Sequence, residues 1–221
     1  RQGDLWRAAQ AGLSMAEFGY EPVKLSKAYT SIEGTPTIDS VDLNIFRLSY
    51  FSACLSCTFC GHSCCNWGVD IDVTNVERIR ARKDELEAYL GTKWDDWFTG
   101  EWEDTPDYPG GRATRTRVVN GTCVFQNREN GACKLHSFAL DKGFDYHEVK
   151  PLISSLFPIT FGDGLMCLGE ELYEGSLICM GNGPSCYDAQ RSEILHYWGP
   201  ELVAELDAVR DAELARRKPA A

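Results

Sequence analysis

Apolar residues recur at helical spacing through Leu5, Trp6, Ala9, Leu13, Ala16 and Phe18 until Pro22 ends the pattern, which predicts a docking helix over residues 5–18. Gly34, Pro36 and Asp39 then mark a loop. Val41, Leu43 and Ile45 alternate like a strand. The run Val69-Asp-Ile-Asp-Val73 alternates as well, giving one apolar face and one solvent face carrying Asp70 and Asp72. Thr74 follows as the expected N-cap of a helix through Val76, Ile79, Leu86 and Leu90. Glu77 completes a capping box, and Gly91 is the stop.

Beyond Gly91 the pattern turns aromatic. Trp94, Trp97, Phe98 and Trp102 are read mainly as core, with a pocket wall as the second use of such rings. Arg112, Arg115 and Arg117 lie on an alternating strand and are expected to neutralise the acidic loop before it. Asn120-Gly121 signals a tight hairpin. A turn over Asn127–Gly131 returns the chain so that Cys123 and Cys133 become neighbours. A short helix then runs from Ser137 to Lys142 and closes at Gly143. Lys150 to Pro158 forms a compact turn, Leu165–Leu168 is strand-like, and two helices are expected over 188–198 and 201–218. The second carries a stripe of Leu202, Leu206, Val209 and Leu214. These elements predict an α+β fold: small antiparallel strands, a hairpin and irregular Cys-rich loops flanked by helices, organised around a metal centre. The expected layout is a single domain over 1–221, with a docking segment at 1–40, a core at 41–187 and C-terminal helices at 188–221.

The net charge of −11 opposes binding to nucleic-acid backbones and anionic membranes. No apolar run reaches the roughly 20 residues of a membrane span, so no membrane insertion is expected, and the first residues lack the shape of a signal peptide. Ten cysteines are present in 221 residues. A chain of this length builds a core without disulfide staples, so reduced thiols and a cytoplasmic setting are expected.

Five of the ten cysteines fall between positions 54 and 65, as Cys54, Cys57, Cys60, Cys64 and Cys65. Thiolates at such spacing in a turn-rich loop can converge on one metal. The run matches bacterial ferredoxin spacing, with Cys65 where that run has proline, and His62 adds a nitrogen donor. In an extended segment Cys64 and Cys65 would project to opposite sides and serve different centres. Cys123 and Cys133 form a second half-site, with His136 as an additional metal ligand or acid/base group. Cys179 and Cys186 flank a glycine-rich loop that gives them freedom to converge. Cys167, among apolar neighbours, reads as a buried inert thiol.

Cys57-x2-Cys60-Gly-x2-Cys64-Cys65, the Asp/Val strand with its capped helix, Gly-x-Cys123-x-Phe, Gly-x-Cys133-x-x-His136 and the Lys-Pro…Phe-Pro turn together resemble the cysteine-cluster family of zinc- or iron-chelating proteins of the YkgJ type. The resemblance covers roughly Leu55 to Cys186. It implies a metal centre, and some relatives accompany protein lysine methylation while others are called iron–sulfur oxidoreductases. Ser154 stands where the family usually has a cysteine before Phe-Pro, so Cys54 or a late cysteine takes that role. An iron–sulfur centre for redox or group-transfer chemistry is expected. The alternative is a zinc or iron ion in a structural, chaperone or sequestration protein, or an accessory subunit with a protein partner or protein substrate.

Overall fold

The computed structural model describes residues 19–51, 63–173, 177 and 179–217. The predicted docking helix at 5–18 lies outside these. The fold is α+β, and the chain groups into two compact units: Ala53–Ser155 forms one, and the segments before and after it form the other. The expected core segment 41–187 therefore straddles both.

The discontinuous unit is built on a four-stranded sheet in which strand Pro22–Thr30 pairs antiparallel with Thr37–Asp42. The latter runs parallel to Leu165–Leu168, which pairs antiparallel with Ile159–Gly162. Val41 belongs to the second strand, but Leu43 and Ile45 do not extend it. The fully buried Asp42 carboxylate accepts from the Glu21 and Asn44 backbone N–H groups, which turns the chain into a short helix, Asn44–Arg47, that buries Ile45 and Phe46. A buried carboxylate needs such donors, and here they override the alternating pattern.

Against this sheet runs the helical stretch Cys186–Arg217, interrupted at Gly199, whose φ of 78° takes it out of helix. The two expected helices are thus present. Their apolar stripe covers Ile194, Leu202 and Leu206 but fails at Leu214, which is 48% exposed. The neighbouring Glu213 is buried instead, paired to Arg47 at 2.7 Å. Glu205 accepts from Ser26 and from the Tyr29 hydroxyl, tying the stretch to the edge strand. No helix among the described residues is long and apolar enough to cross a membrane.

In the continuous unit, strand Asp70–Asp72 pairs antiparallel with Arg112–Arg115, which also pairs with Glu103–Asp104. Helix Val73–Ala81 starts one residue before the expected cap. Asp72, 2% exposed, is the N-cap and accepts from the Asn75 N–H at 2.7 Å, while Glu77 pairs with Arg80. The strand ends one residue earlier than its alternation suggests, so Asp72 is a buried cap and not part of a solvent face. A break at Arg82 separates this helix from Lys83–Leu90, which ends at left-handed Gly91. Ile71, Val76, Ile79, Leu86, Trp97 and Phe138 form the centre of the core.

Two stability measurements follow. Asp72→Ala removes the cap and is expected to cost about 1–2 kcal/mol in urea unfolding, with Asp72→Asn recovering most of it. In the first unit, the Arg191 guanidinium, assisted by the Tyr187 hydroxyl, holds the Asp207 carboxyl at about 2. That lies below the ordinary value near 3.9, so this stabilisation is present above about pH 4 and lost as pH falls toward 2. The stability gap between wild type and Asp207→Asn should accordingly shrink across that window, and a gap independent of pH would contradict the pairing.

Candidate metal centre

Chain direction around Cys64 and Cys65 is set by a 3₁₀ turn, Ser63–Trp67, and by Gly68 at φ 71°. A Cβ at Gly68 would meet the Thr116 carbonyl oxygen at 2.7 Å, so only glycine lets the turn approach the neighbouring strand this closely. The next residue locks on from both sides. Thr116 N–H donates to the Val69 carbonyl and Val69 N–H donates to Thr116 Oγ1, each at 2.9 Å. Arg115 completes the clamp, donating to Asp70 at 2.6 Å and to the Trp67 carbonyl at 2.9 Å.

The same strand leads into the second sulfur-bearing segment. Val118–Val119 and Thr122–Cys123 form a hairpin whose central residues, Asn120 and Gly121, have φ of 51° and 76°, the positive pair that the sequence signal predicts. The Thr122–Cys123 strand packs on the Ser63–Trp67 turn. The chain then reverses as expected: Asn127 N–H donates to the Ala132 carbonyl, Gln126 bridges to Cys133, and Lys134 N–H donates to the Phe125 carbonyl. Cys133 thereby becomes the N-cap residue of helix Lys134–Lys142, at the positive end of the helix dipole. The helix starts three residues earlier than its expected bound and closes at Gly143 as predicted.

These two segments bring four cysteines into one neighbourhood, with Cys64 and Cys65 as its close pair; among the described residues no three of the four sulfurs lie within 4.8 Å of one another. Cys64 Sγ lies 3.9 Å from Cys65 Sγ. The turn, and not an extended strand, carries them, so they do not project to opposite sides. Cys64 and then burial push the Cys65 thiol well above its ordinary value, with Cys133 and Cys123 adding to the effect. Burial also raises the Cys123 thiol, partly offset by a hydrogen bond to Thr116 Oγ1 at 3.4 Å, by the Phe125 N–H and by Arg115. None of the described cysteines forms a disulfide.

The geometry bears on whether a metal fits. Two thiolates bonded at about 2.3 Å to one tetrahedral ion stand roughly 3.8 Å apart, close to the Cys64–Cys65 separation. A thiol pair that repels a second negative charge is also one that a cation relieves. Thr116 ties this centre together, because its 1% exposed hydroxyl serves both the Val69 backbone and Cys123.

The other candidates fall elsewhere. Cys54, Cys57, Cys60 and His62 lie outside the described residues. The His136 ring stacks on Tyr146 with centroids 4.1 Å apart. Cys179 and Cys186 belong to the discontinuous unit, where Met180 and Ser185 pair with the adjacent Tyr50 and Ser49. Residues 181–184 are thus an excursion. Cys179 accepts from Phe51 and Cys186 donates to Leu48 through their backbones, holding the two cysteines roughly 10 Å apart along the strand. Burial pushes the Cys186 thiol up to about 12. Cys167 is fully buried on Leu165–Leu168, and burial raises its thiol further, with Asp42 and Glu170 contributing. Ser154 lies in the short helix Leu152–Leu156.

Thr116 and the Arg115–Asp70 pair escaped the sequence reading. The sequence matches the arginine strand to the acidic loop, and Arg112 does pair with Asp104 at 3.7 Å. Placing Val69–Val73 opposite Arg112–Thr116 would have exposed the charge match of Asp70 with Arg115.

Thr116→Val leaves the Val69 N–H without its acceptor and is expected to cost about 1–3 kcal/mol in urea unfolding. Thr116→Ser, which keeps the hydroxyl, should recover most of that, and equal losses would assign Thr116 a packing role alone.

Comparison with protein-family models, curated proteins and solved structures finds no match to this chain, so the likeness to the cysteine-cluster family stands on the motif residues themselves.

Proposed function

We propose that this is a metal-binding cysteine-cluster protein holding one or more iron–sulfur centres for redox or group-transfer chemistry. The proposed ligands are Cys64, Cys65, Cys123 and Cys133, together with Cys54, Cys57 and Cys60, which precede them in the sequence. The close Cys64–Cys65 pair, on a turn against which the Cys123 strand packs, supports this reading together with the spacing of the cysteines in the sequence. The seven cysteines of that stretch exceed the four that one zinc ion takes, which favours a centre of more than one metal. Such a centre, when bound, supplies electron transfer or Lewis acidity. The chain's own part is to hold the sulfurs: the Thr116 hydroxyl and the Phe125 N–H both reach Cys123, and the Cys64–Cys65 turn is fixed by Arg115. Binding at these raised thiols releases protons, so metal affinity rises with pH. A reducing, cytoplasmic setting goes with this chemistry.

A single-ion reading, zinc or iron held for structure, sequestration or delivery, is favoured by the 3.9 Å spacing of Cys64 and Cys65. Trp67, 69% exposed at the end of the thiol turn, and exposed Val118 and Val119 at the hairpin form an apolar rim that suits a protein partner or protein substrate.

Anaerobic purification with iron, zinc and sulfide analysis separates these readings. Iron with acid-labile sulfide and a brown colour is expected, with most of the metal lost in Cys64→Ser and Cys123→Ser and retained in Cys167→Ala. Stoichiometric zinc without sulfide would establish the single-ion reading. Equal metal loss in Cys167→Ala, or no metal after anaerobic reconstitution, would overturn the centre.

A further inference from the structure

A cleft of about 270 Å³ opens in the continuous unit among side chains that the thiol centre does not use. Trp94, Phe98 and Trp102 wall it, and the Thr99 and Thr114 hydroxyls, 3.3 Å apart, contribute its polar lining. Three charged groups also line it: Arg80, Arg117 and Asp95. Aromatic walls with a few polar groups are the usual construction of a small-molecule site, and this volume suits one ring system better than a nucleotide or a larger cofactor.

The charges decide what kind of ring. A cation is disfavoured beside these rings by like charge: Arg80 lies 5.0 Å from the Trp94 centroid and Arg112 5.4 Å from that of Trp102, so the wall already carries positive charge. Arg80 is further paired to Glu77. Arg117 differs. Its backbone N–H donates to the Trp97 carbonyl and its Nε to the Phe98 carbonyl at 2.7 Å, which fixes the side chain at the cleft. Its two terminal amino groups hold no carboxylate among the described residues. A positioned, uncompensated guanidinium beside aromatic walls matches a carboxylate on a flat ring.

We propose that this cleft binds a small planar monoanion, an aromatic ring bearing a carboxylate, with Arg117 taking the carboxylate and the Trp94–Phe98–Trp102 wall taking the ring. Asp95, which makes no ion pair among the described residues, opposes that charge and sets the limit on affinity. The proposal rests on the cleft alone, so its failure leaves the metal reading untouched.

The test is calorimetric titration of the full chain with phenylacetate, with neutral phenylacetamide, with cationic phenethylamine and with the non-planar anion cyclohexylacetate. Phenylacetate should bind saturably, and each of the other three about tenfold or more weaker. Arg117→Gln should weaken phenylacetate about tenfold, and Asp95→Asn, which breaks no contact, should tighten it severalfold, with unfolding curves confirming that both variants are folded. Absence of saturable phenylacetate binding, equal binding of phenylacetamide or cyclohexylacetate, preference for phenethylamine, or indifference to Asp95→Asn would each overturn the proposal.

Discussion

The antiparallel pairing of Asp70–Asp72 with Arg112–Arg115 is short, yet the second unit depends on it. One end of it delivers Asp72 to the start of a helix, so that the strand's last residue is the helix's cap. The other end delivers Val69 to Thr116 and Trp67 to Arg115, which fixes the turn carrying Cys64 and Cys65. Past Thr116 the same strand passes through Arg117 into the hairpin that returns Cys123. Two thiol-bearing segments, more than fifty positions apart in sequence, are thus set by hydrogen bonds to consecutive residues of one strand. A bare loop would lose much of its precision to conformational entropy. Here the backbone bonds near the sulfurs lie in or beside a buried ladder.

What was legible in the sequence was local. Asn120-Gly121 specifies a turn that needs two positive φ values, Gly91 and Gly143 end helices, and Gly199-Pro200 divides the last helical stretch, because in each case the residue's own backbone preference decides. The return that brings Cys133 back against Gln126, three residues past Cys123, was also readable, since both ends of it are marked by turn residues. Pairing between distant strands was not. Asp70 opposite Arg115, and Thr116 beneath Gly68, depend on a register that alternation leaves open. Asp72 is misplaced for a related reason: a carboxylate in an alternating pattern looks solvated, whereas here it is buried and accepts from a backbone N–H, as the buried Asp42 also does. The glycine-rich stretch near Cys179 misled in the opposite sense, because flexibility of composition does not bring two ends together when each end is held in a ladder.

The aromatic segment after Gly91 answers two demands within a few residues. Trp97 is fully buried, with its indole N–H donated to Thr92 at 2.9 Å, while Trp94 and Trp102 stay partly open on the cleft. A helical or strand periodicity would put such rings on one face. The break into a 3₁₀ turn at Trp94–Asp96 is what lets neighbours in sequence serve the interior and the wall.

The order of the two units along the chain has a consequence for synthesis. Ala53–Ser155 is contiguous, while the other unit is closed only by segments on either side of it. On the ribosome, the strand Thr37–Asp42 emerges early, but its parallel neighbour Leu165–Leu168 and the long helical stretch come after every residue of the thiol-bearing unit. Nascent chains organise unit by unit from the N-terminal side. In this chain that order is inverted: the inserted unit is complete, with Cys64, Cys65, Cys123 and Cys133 all translated, while the sheet that precedes it still waits for half its strands.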